Sequence, residues 1–278
     1  MTRPDVSAVA IIGAGHAGQA AADLARDLGL EATILDDRQD HGALVWLIEN
    51  DTICFSRDDV AHKLTAQRII LAPGALDRPM PGVDNPSGSD EIPNIQITSA
   101  LGLEHCWDPV QRFWYARCGT HGETAQEHIF LAGAVTGRFG PALAAWQGRT
   151  AACAVARSLG AHGGDCDPGE PPPAETQSPS FLDAKELAGD IVVCDCEGTT
   201  VDDIRRLADL GCRDVNQAKA LGRPGTGSCQ GRRCALAVAE VLAHGLGVDM
   251  AEVGYFRQRW PTSPVSLEQL SKFANEDN

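Results

Sequence analysis

The sequence has no apolar run that approaches the ~18 residues a membrane helix needs. It is also poor in cationic residues: 23 Lys and Arg stand against 38 Asp and Glu, which leaves a formal net charge of −15. A field of this sign repels the phosphates of nucleic acids and anionic lipid surfaces. We therefore expect neither a membrane span nor a nucleic acid partner.

Several catalytic signatures are missing as well. The chain contains no P-loop, no H-E-x-x-H, no G-x-S-x-G and no C-x-x-C, and its 8 histidines show no ligand spacing. No side chain stands out as a general base or nucleophile, so we name no catalytic residue. The first residues lead into an apolar strand without a signal-peptide pattern. We expect a cytoplasmic protein whose 10 cysteines are reduced, some of them as ligands.

A nucleotide-binding fingerprint lies near the start of the chain. An apolar strand at 9–12 runs into G-x-G-x-x-G, which is followed by a helical pattern at 17–28 and a second strand at 32–35. In this fingerprint Gly13 permits the tight turn and Gly15 lets the backbone approach a pyrophosphate. Gly18 lets the helix pack against the strand. The helix N-terminus supplies N–H groups and partial positive charge for the phosphates.

Two carboxylates follow the second strand, Asp36 and Asp37. Asp36 stands where a ribose diol would donate hydrogen bonds, with Asp37 as its neighbour in the candidate site. A carboxylate there disfavours a 2′-phosphate, so FAD, NAD or ADP/ATP is favoured over NADP. The fingerprint predicts a bound nucleotide and leaves its identity open.

The remaining patterns divide the chain into four parts. Buried strands at 68–72 and 127–133 and a helix at 140–159 complete a dinucleotide-binding domain over residues 1–159. Residues 160–180 are rich in Gly, Pro, Glu and Ser and indicate a linker. Short helices form a small domain over 181–247, with Thr199 or Thr200 as the first predicted N-cap and Asp214 as the second. The tail, 248–278, is expected to dock on the body.

Four cysteines form a C-x-C…C-x4-C pattern: Cys194, Cys196, Cys229 and Cys234. In extended chain a C-x-C places two sulfurs on one side of the backbone, about 6–7 Å apart. Four thiolates suit a [2Fe–2S] cluster or a zinc ion, and the C-x-C half favours iron–sulfur. Arg232, Arg233 and the following helix N-terminus would offset the negative charge. Unligated core thiols remain a third interpretation.

These segments resemble a known family. Residues 193–197, 213–217 and 227–234 resemble the BFD-like (bacterioferritin-associated ferredoxin-like) [2Fe–2S] domain. The N-terminal fingerprint with 72–79 and 130–134 resembles the FAD-binding half of the two-dinucleotide-binding oxidoreductases. With 254–257 and 264–265 of the tail, the whole is similar to the α-type subunit of heteromeric opine, proline, hydroxyproline or sarcosine dehydrogenases.

The resemblance implies an α/β fold, with a Rossmann-like FAD- or nucleotide-binding domain and a small all-α BFD-like iron–sulfur domain. It adds Gly74 and Gly133 to the nucleotide site, and it implies FAD, a [2Fe–2S] cluster and, as a further candidate, FMN at a subunit interface. The implied partner is a β-type FAD-dependent dehydrogenase subunit, with room for a further small subunit. Such a chain passes electrons from the partner's flavin through the cluster to an acceptor.

The sequence departs from the family in three places. The segment between Gly82 and Glu127 is too short for the inserted NAD(P)H domain, so we expect no nicotinamide site. Ala134 replaces the acid that holds the flavin ribityl chain, and Pro73 interrupts the usual A-T-G. These changes keep open a non-catalytic scaffold that holds ADP or ATP and docks the catalytic flavoprotein. The missing NAD(P)H domain disfavours a stand-alone flavin reductase or ferredoxin-like carrier.

Overall fold

The computed structural model describes residues 5–38, 42–82, 90–161, 166–175 and 183–274. The N-terminal half contains the strands β1 (Asp5–Ile12), β2 (Ala32–Leu35), β3 (Leu44–Glu49), β4 (Thr52–Arg57), β5 (Val60–Leu71), β6 (Ala75–Asp77), β7 (Glu91–Pro93), β8 (His105–Asp108), β9 (Phe113–Ala116) and β10 (Ile129–Leu131). Its helices are α1 (His16–Asp27), α2 (Gln96–Ala100) and α3 (Pro141–Ser158), and a 3-10 turn covers Ala134–Thr136.

A 6-stranded mixed sheet organises this half. Its order is β2-β1-β5-β4-β3, and β10 pairs with the end of β5. Strands β2, β1, β5 and β10 run parallel, whereas β3, β4 and β5 are antiparallel neighbours. The parallel strands are runs of Val, Ile, Leu and Ala because both faces of this part of the sheet are covered. The predicted α/β fold is confirmed.

Helices α1 and α3 cover one face of the sheet and lie unusually close to each other. The facing side chains are small, among them Ala21, Ala22, Ala151 and Ala152, and all four are buried. At Gly148 a Cβ atom would lie only 2.0 Å from the backbone oxygen of Ala17. The two helix backbones therefore pack against each other directly, with no room for a side chain.

The sequence predicts most of these elements and misses some of their extent. The expected strands at 9–12 and 32–35 and both long helices are present. Strand β5 begins at Val60, well before the predicted start, because its first part pairs with β4. The hairpins β6–β7 and β8–β9 are not predicted. Residues 83–89, which precede β7, lie outside the described residues.

The C-terminal half is mainly helical. It contains β11 (Val192–Cys194), β12 (Thr199–Thr200), α4 (Val201–Asp209), α5 (Val215–Gly222), α6 (Ala235–Leu246), α7 (Met250–Val253) and α8 (Leu267–Ala274). The predicted N-caps are confirmed: Thr200 and Asp203 form a capping box, and Asp214 caps α5. The short β11–β12 hairpin means that this unit is not purely helical, contrary to expectation. In this hairpin Val192 pairs with Thr200, and Cys194 pairs with Thr199.

The segment expected to be a linker contacts the nucleotide-binding half. Cys166 forms a disulfide with Cys153 of α3, so the expectation of reduced thiols is wrong for this pair, whose Cα atoms lie 5.6 Å apart. The indole N–H of Trp146 donates to the Gly169 carbonyl at 2.8 Å, and the Glu175 N–H donates to the Phe139 carbonyl at 3.0 Å. Composition alone does not reveal these contacts. Residues 162–165 and 176–180 of the segment lie outside the described residues.

The tail packs on both halves of the chain. The Tyr255 hydroxyl and the His105 ring lie within hydrogen-bond distance at 2.9 Å, and the other His105 nitrogen is 2.9 Å from the Thr98 hydroxyl. The Thr262 N–H donates to the Trp46 carbonyl at 3.0 Å. In the described part of the chain, no helix combines the length and the apolar composition that a bilayer crossing requires.

Because His105 is partly buried, it should make the protein less stable in acid. Burial lowers the pKa of His105 from 6.5 to about 4, so the folded protein holds a neutral ring. Between these values the unfolded chain binds the proton and the folded one does not. Its free energy of unfolding should therefore fall as the pH drops from 6.5 to 4, by about 3 kcal/mol in total.

Urea unfolding of His105→Gln at pH 7 and pH 4.5 measures this effect. The variant should lose less stability on acidification than the wild type, whereas His244→Gln, at an exposed position, should behave as the wild type does. An unchanged pH dependence in His105→Gln would show that the ring does not cause the acid sensitivity.

Candidate functional site

A cleft of about 1030 Å³ opens where the parallel strands end. This is the place where open α/β sheets bind their ligands. The predicted residues that line it are Gly13, Gly15, Asp36, Asp37, Gly74 and Gly133. Gly18 lies behind the cleft, at the junction of α1 and β1.

The three fingerprint glycines have different surroundings. Gly13 has a φ of +109°, and a Cβ atom there would lie 2.0 Å from the Ala72 oxygen. A Cβ atom on Gly18 would lie 1.8 Å from the Gly13 oxygen. Gly15 is open by comparison, since the nearest atom to its Cβ position is the Arg38 guanidinium at 3.6 Å. Gly13 and Gly18 are therefore required by the fold, and Gly15 faces the space that a ligand takes.

Asp36 is fixed at the end of β2 by its own chain. One carboxylate oxygen accepts the Ala14 N–H at 2.6 Å, and the other accepts the Arg38 N–H at 2.9 Å. The Arg38 guanidinium lies 3.2 Å from the same carboxylate. Asp36 thus ties the glycine turn to the strand, a role that the sequence pattern does not reveal. Asp37 is exposed beside it.

The cleft fits the phosphate and ribose portion of a dinucleotide. Helix α1 begins next to Gly15 with no side-chain cap and no acidic residue in its first turn. Its N-terminal N–H groups and partial positive charge suit a pyrophosphate. Ala134 also lines the cleft and brings only a methyl group to its wall. The start of α1 thus suits the pyrophosphate that FAD, NAD and ADP share, and the side chain of Ala134 offers no hydrogen-bond acceptor to a flavin ribityl chain.

We expect Asp36→Asn to weaken nucleotide retention by roughly 1–3 kcal/mol, because the charged acceptor becomes neutral and one of its two oxygens becomes a donor. The measurement is the dissociation constant of the nucleotide that co-purifies, with Asp37→Asn as the matched control of equal charge. Equal losses in both variants would assign the effect to net charge, and unchanged retention would place the ribose contact elsewhere.

The four predicted cysteine ligands meet at the start of the C-terminal unit. Cys194 ends β11, Cys229 lies in the loop before α6, and Cys234 is the N-cap of that helix. Cys196 lies close to Cys229, and Cys234 lies close to the Cys194 thiol, since each neighbour acts on the pKa of the other thiol in its pair. The Gly225 N–H points to the Cys194 sulfur at 3.4 Å.

The two thiol pairs differ in environment. Cys194 and Cys234 are buried, and burial raises the pKa of the Cys234 thiol, with the Cys194 thiol adding to the effect. Cys196 is exposed, and the backbone N–H of Cys229 lowers its pKa. Within the described ranges, no group of three or more His, Cys, Asp or Glu side chains is arranged to hold a metal ion. The thiols lie as two pairs, Cys194 with Cys234 and Cys196 with Cys229. Four thiolates are the donor set that a [2Fe–2S] cluster or a zinc ion uses, so the residue types fit such a centre, whereas their arrangement does not form one closed group.

The cysteine loop shares a wall with the nucleotide cleft. Arg232 lines the cleft, and its guanidinium donates to the Cys229 carbonyl at 3.5 Å and the Thr262 carbonyl at 3.3 Å. Burial lowers the pKa of Arg232, while the negative charges of Asp37 and Cys229 oppose that shift. Arg233 points elsewhere and pairs with Asp195 at 3.1 Å. The sequence predicts that Arg232 offsets charge at the thiols, but its place in the cleft depends on tertiary structure.

Known proteins are similar to this chain both in the cysteine segment and over the whole fold. Residues 192–272, which include all four cysteines, match the family model of the sarcosine oxidase A3 domain. The fold matches the crystal structure of L-proline dehydrogenase from P. horikoshii with a TM-score of 0.77 and 15% identity, over 97% of this chain and 81% of that one. At this identity the match establishes a shared fold.

Three of the similar curated proteins are named as subunits. An opine oxidase subunit from Rhizobium meliloti is 33% identical over 65% of this chain and 37% of that protein. The same opine oxidase subunit from Agrobacterium tumefaciens (strain Ach5) is 30% identical over 74% of this chain and 44% of that protein. Hydrogen cyanide synthase subunit HcnB from Pseudomonas aeruginosa is 29% identical over 66% and 42%. The chain spans less than half the length of these relatives.

Proposed function

We propose that this chain is a subunit of a flavin-dependent oxidoreductase that acts on CH–NH donors of the opine, proline, hydroxyproline or sarcosine type. The substrate is oxidised on a β-type flavoprotein partner. Electrons then pass through a [2Fe–2S] cluster held by Cys194, Cys196, Cys229 and Cys234 to an acceptor. The names of the relatives and the matched domain support the substrate class and the subunit role.

One observation carries this proposal: the nucleotide cleft and the cysteine loop are adjacent. Arg232 belongs to both, and Gln96 of the cleft wall donates to the Gln230 carbonyl of the loop at 3.2 Å. A dinucleotide in the cleft and a centre on the thiols would therefore be neighbours, as an electron path requires. A purely structural thiol cluster does not need this arrangement.

Each part of the site has a role in the proposal. Gly13, Gly15 and the start of α1 hold the pyrophosphate of FAD, Asp36 orients the ribose, and Gly74 and Gly133 keep the cleft walls open. When bound, FAD supplies the step between two-electron and one-electron chemistry. FMN at the interface with the partner, and a further small subunit, belong to the same proposal.

The test is purification of the complex from its native host under anaerobic conditions. We expect mass spectrometry to identify a flavoprotein partner, and elemental analysis to give about two iron and two acid-labile sulfide per chain. Zinc, or no metal, in a complex that still contains its nucleotide would contradict the cluster.

The second candidate function is a scaffold that holds ADP or ATP and docks the catalytic flavoprotein. Ala134 favours it, because its side chain offers no hydrogen-bond acceptor at the position that holds the flavin ribityl chain in the family the sequence resembles. Denaturing the complex and identifying the released nucleotide distinguishes the two: FAD supports the electron-transfer role, and ADP or ATP supports the scaffold.

A further inference from the structure

The segment from Cys166 to Glu175, which we call the strap, runs back along α3 to the nucleotide cleft. At its first residue, Cys166 is joined by the disulfide to Cys153, which is fully buried on α3. Closer to the start of α3, the indole N–H of Trp146 donates to the Gly169 carbonyl at 2.8 Å. At its last residue, Glu175 lines the cleft. The strap therefore connects a disulfide on α3 with the wall of the candidate nucleotide site.

The side chain of Glu175 lies over the N-terminus of α3. The Glu175 N–H donates to the Phe139 carbonyl at 3.0 Å. A Cβ atom on Gly140, the N-cap of α3, would lie 3.0 Å from Glu175 Cγ and 3.3 Å from its Oε1. Helix α3 has no side-chain cap and no acidic residue in its first turn, so the strap brings a carboxylate to the partial positive charge of the helix start. The protein thus places a negative charge of its own at this part of the cleft.

The position of the strap depends on the disulfide. Most residues of the strap are exposed, so it buries little apolar surface. A hydrogen bond such as that from Trp146 to Gly169 adds little net stability, whereas ordering the backbone costs entropy at every residue. The cross-link supplies what these contacts lack, because it limits the freedom of the open segment. Pro171, Pro172 and Pro173 stiffen the middle of the strap, so a displacement at one end reaches the other.

We propose that the strap is a redox-controlled gate of the nucleotide cleft, which the Cys153–Cys166 disulfide holds closed and a dithiol reductant opens. This inference rests on the proposed function in one respect, since it requires that the cleft binds a nucleotide. In the closed form the strap completes part of the cleft wall and slows the entry and release of the nucleotide. In the open form the Glu175 carboxylate leaves the start of α3, and the nucleotide exchanges faster.

The opening step is a thiol–disulfide exchange. Cys166 is half-buried whereas Cys153 is fully buried, so a thiolate of the reductant reaches the Cys166 sulfur. A bond forms between the reductant and Cys166, the bond to Cys153 breaks, and Cys153 leaves as a thiolate that takes up a proton. The second thiol of the reductant then attacks the reductant's own sulfur in the mixed disulfide, and Cys166 leaves as a thiol. Two electrons and two protons pass to the protein, and the dithiol ends as a disulfide.

Nucleotide exchange in the complex, purified from its native host without reductant, tests the proposal. Mass spectrometry of unreduced peptides should find Cys153 linked to Cys166. The uptake of radiolabelled ADP, the moiety that the candidate nucleotides share, is then followed before and after treatment with dithiothreitol, a dithiol. We expect uptake to become several-fold faster after reduction. Hydrogen–deuterium exchange of the strap amides, the Glu175 N–H among them, should become faster as well.

Cys166→Ser is the informative variant, because its strap is open without any reductant. It should take up ADP fast and not respond to dithiothreitol, which separates the strap from effects of the reductant on the cysteine loop. Cys118→Ser changes a half-buried cysteine outside the disulfide and should respond as the wild type does.

A wild-type protein without the linkage, or equal uptake in the linked and reduced forms, would overturn the proposal. No ADP uptake in either form would count against the nucleotide site of the proposed function. The strap is then judged by amide exchange alone, and protection that survives reduction overturns it.

Discussion

Cys229→Ser should remove essentially all iron and acid-labile sulfide from the purified complex while the nucleotide is retained. The serine hydroxyl is a poor replacement for a thiolate, which is the ligand that iron–sulfur clusters use. Cys229 also lies close to Cys196, and it directly precedes Gln230, whose carbonyl accepts a hydrogen bond from Gln96. The nucleotide cleft is formed by other elements, so its occupancy should stay at the wild-type level. Iron analysis and the visible spectrum measure the first effect, and the released nucleotide measures the second.

The matched control is Cys106→Ser, which changes a half-buried cysteine on β8 outside the thiol group. It should keep full iron content. Equal iron in Cys229→Ser and the wild type would remove Cys229 from the proposed ligand set. Loss of iron and nucleotide together would show that the shared wall at Arg232 makes the two sites a single cooperative unit.

Gly148→Ala should lower the free energy of unfolding by about 3 kcal/mol, as overpacking a tight core does. Helix propensity alone would raise the free energy of unfolding, because Ala is favoured over Gly by about 1 kcal/mol inside a helix. The structure decides between them: the new methyl group would lie 2.0 Å from the Ala17 oxygen, which is backbone and cannot rotate away. Helices α1 and α3 would have to separate.

Urea unfolding followed by circular dichroism gives the change in free energy. Ala142→Ser, on the exposed side of α3, is the control and should stay within about 0.5 kcal/mol of the wild type. A stabilised Gly148→Ala would mean that α1 and α3 do not approach as closely as described.

The sequence predicts those elements whose cause is local. The G-x-G-x-x-G turn, the strand at 32–35 and the caps at Thr200 and Asp214 depend on residues within a few positions of each other. Strand β5 is longer than its apolar part because its polar first half is held by β4, which no local pattern records. The Cys153–Cys166 disulfide likewise depends on the path of a segment whose composition indicates only a linker.

In the candidate site, too, the residues with a local sequence pattern are predicted, and the contacts between distant segments are not. Spacing alone is enough to single out the four cysteines and the three fingerprint glycines. The second role of Asp36, the position of Arg232 and the convergence of Gln96 and Gln258 on Gln230 all join parts of the chain that are far apart in sequence. Long-range contacts of this kind have no signature in a single sequence.

Arg232 gives the two candidate centres a common electrostatic partner. An anion that reaches its end of the cleft and negative charge on the thiol loop compete for one guanidinium. By thermodynamic reciprocity, filling the cleft makes that loop harder to charge, and charging the loop loosens the bound anion by the same factor. In the proposed function, reduction of the cluster would add negative charge to the loop, so it would weaken the binding of an anion at this end of the cleft.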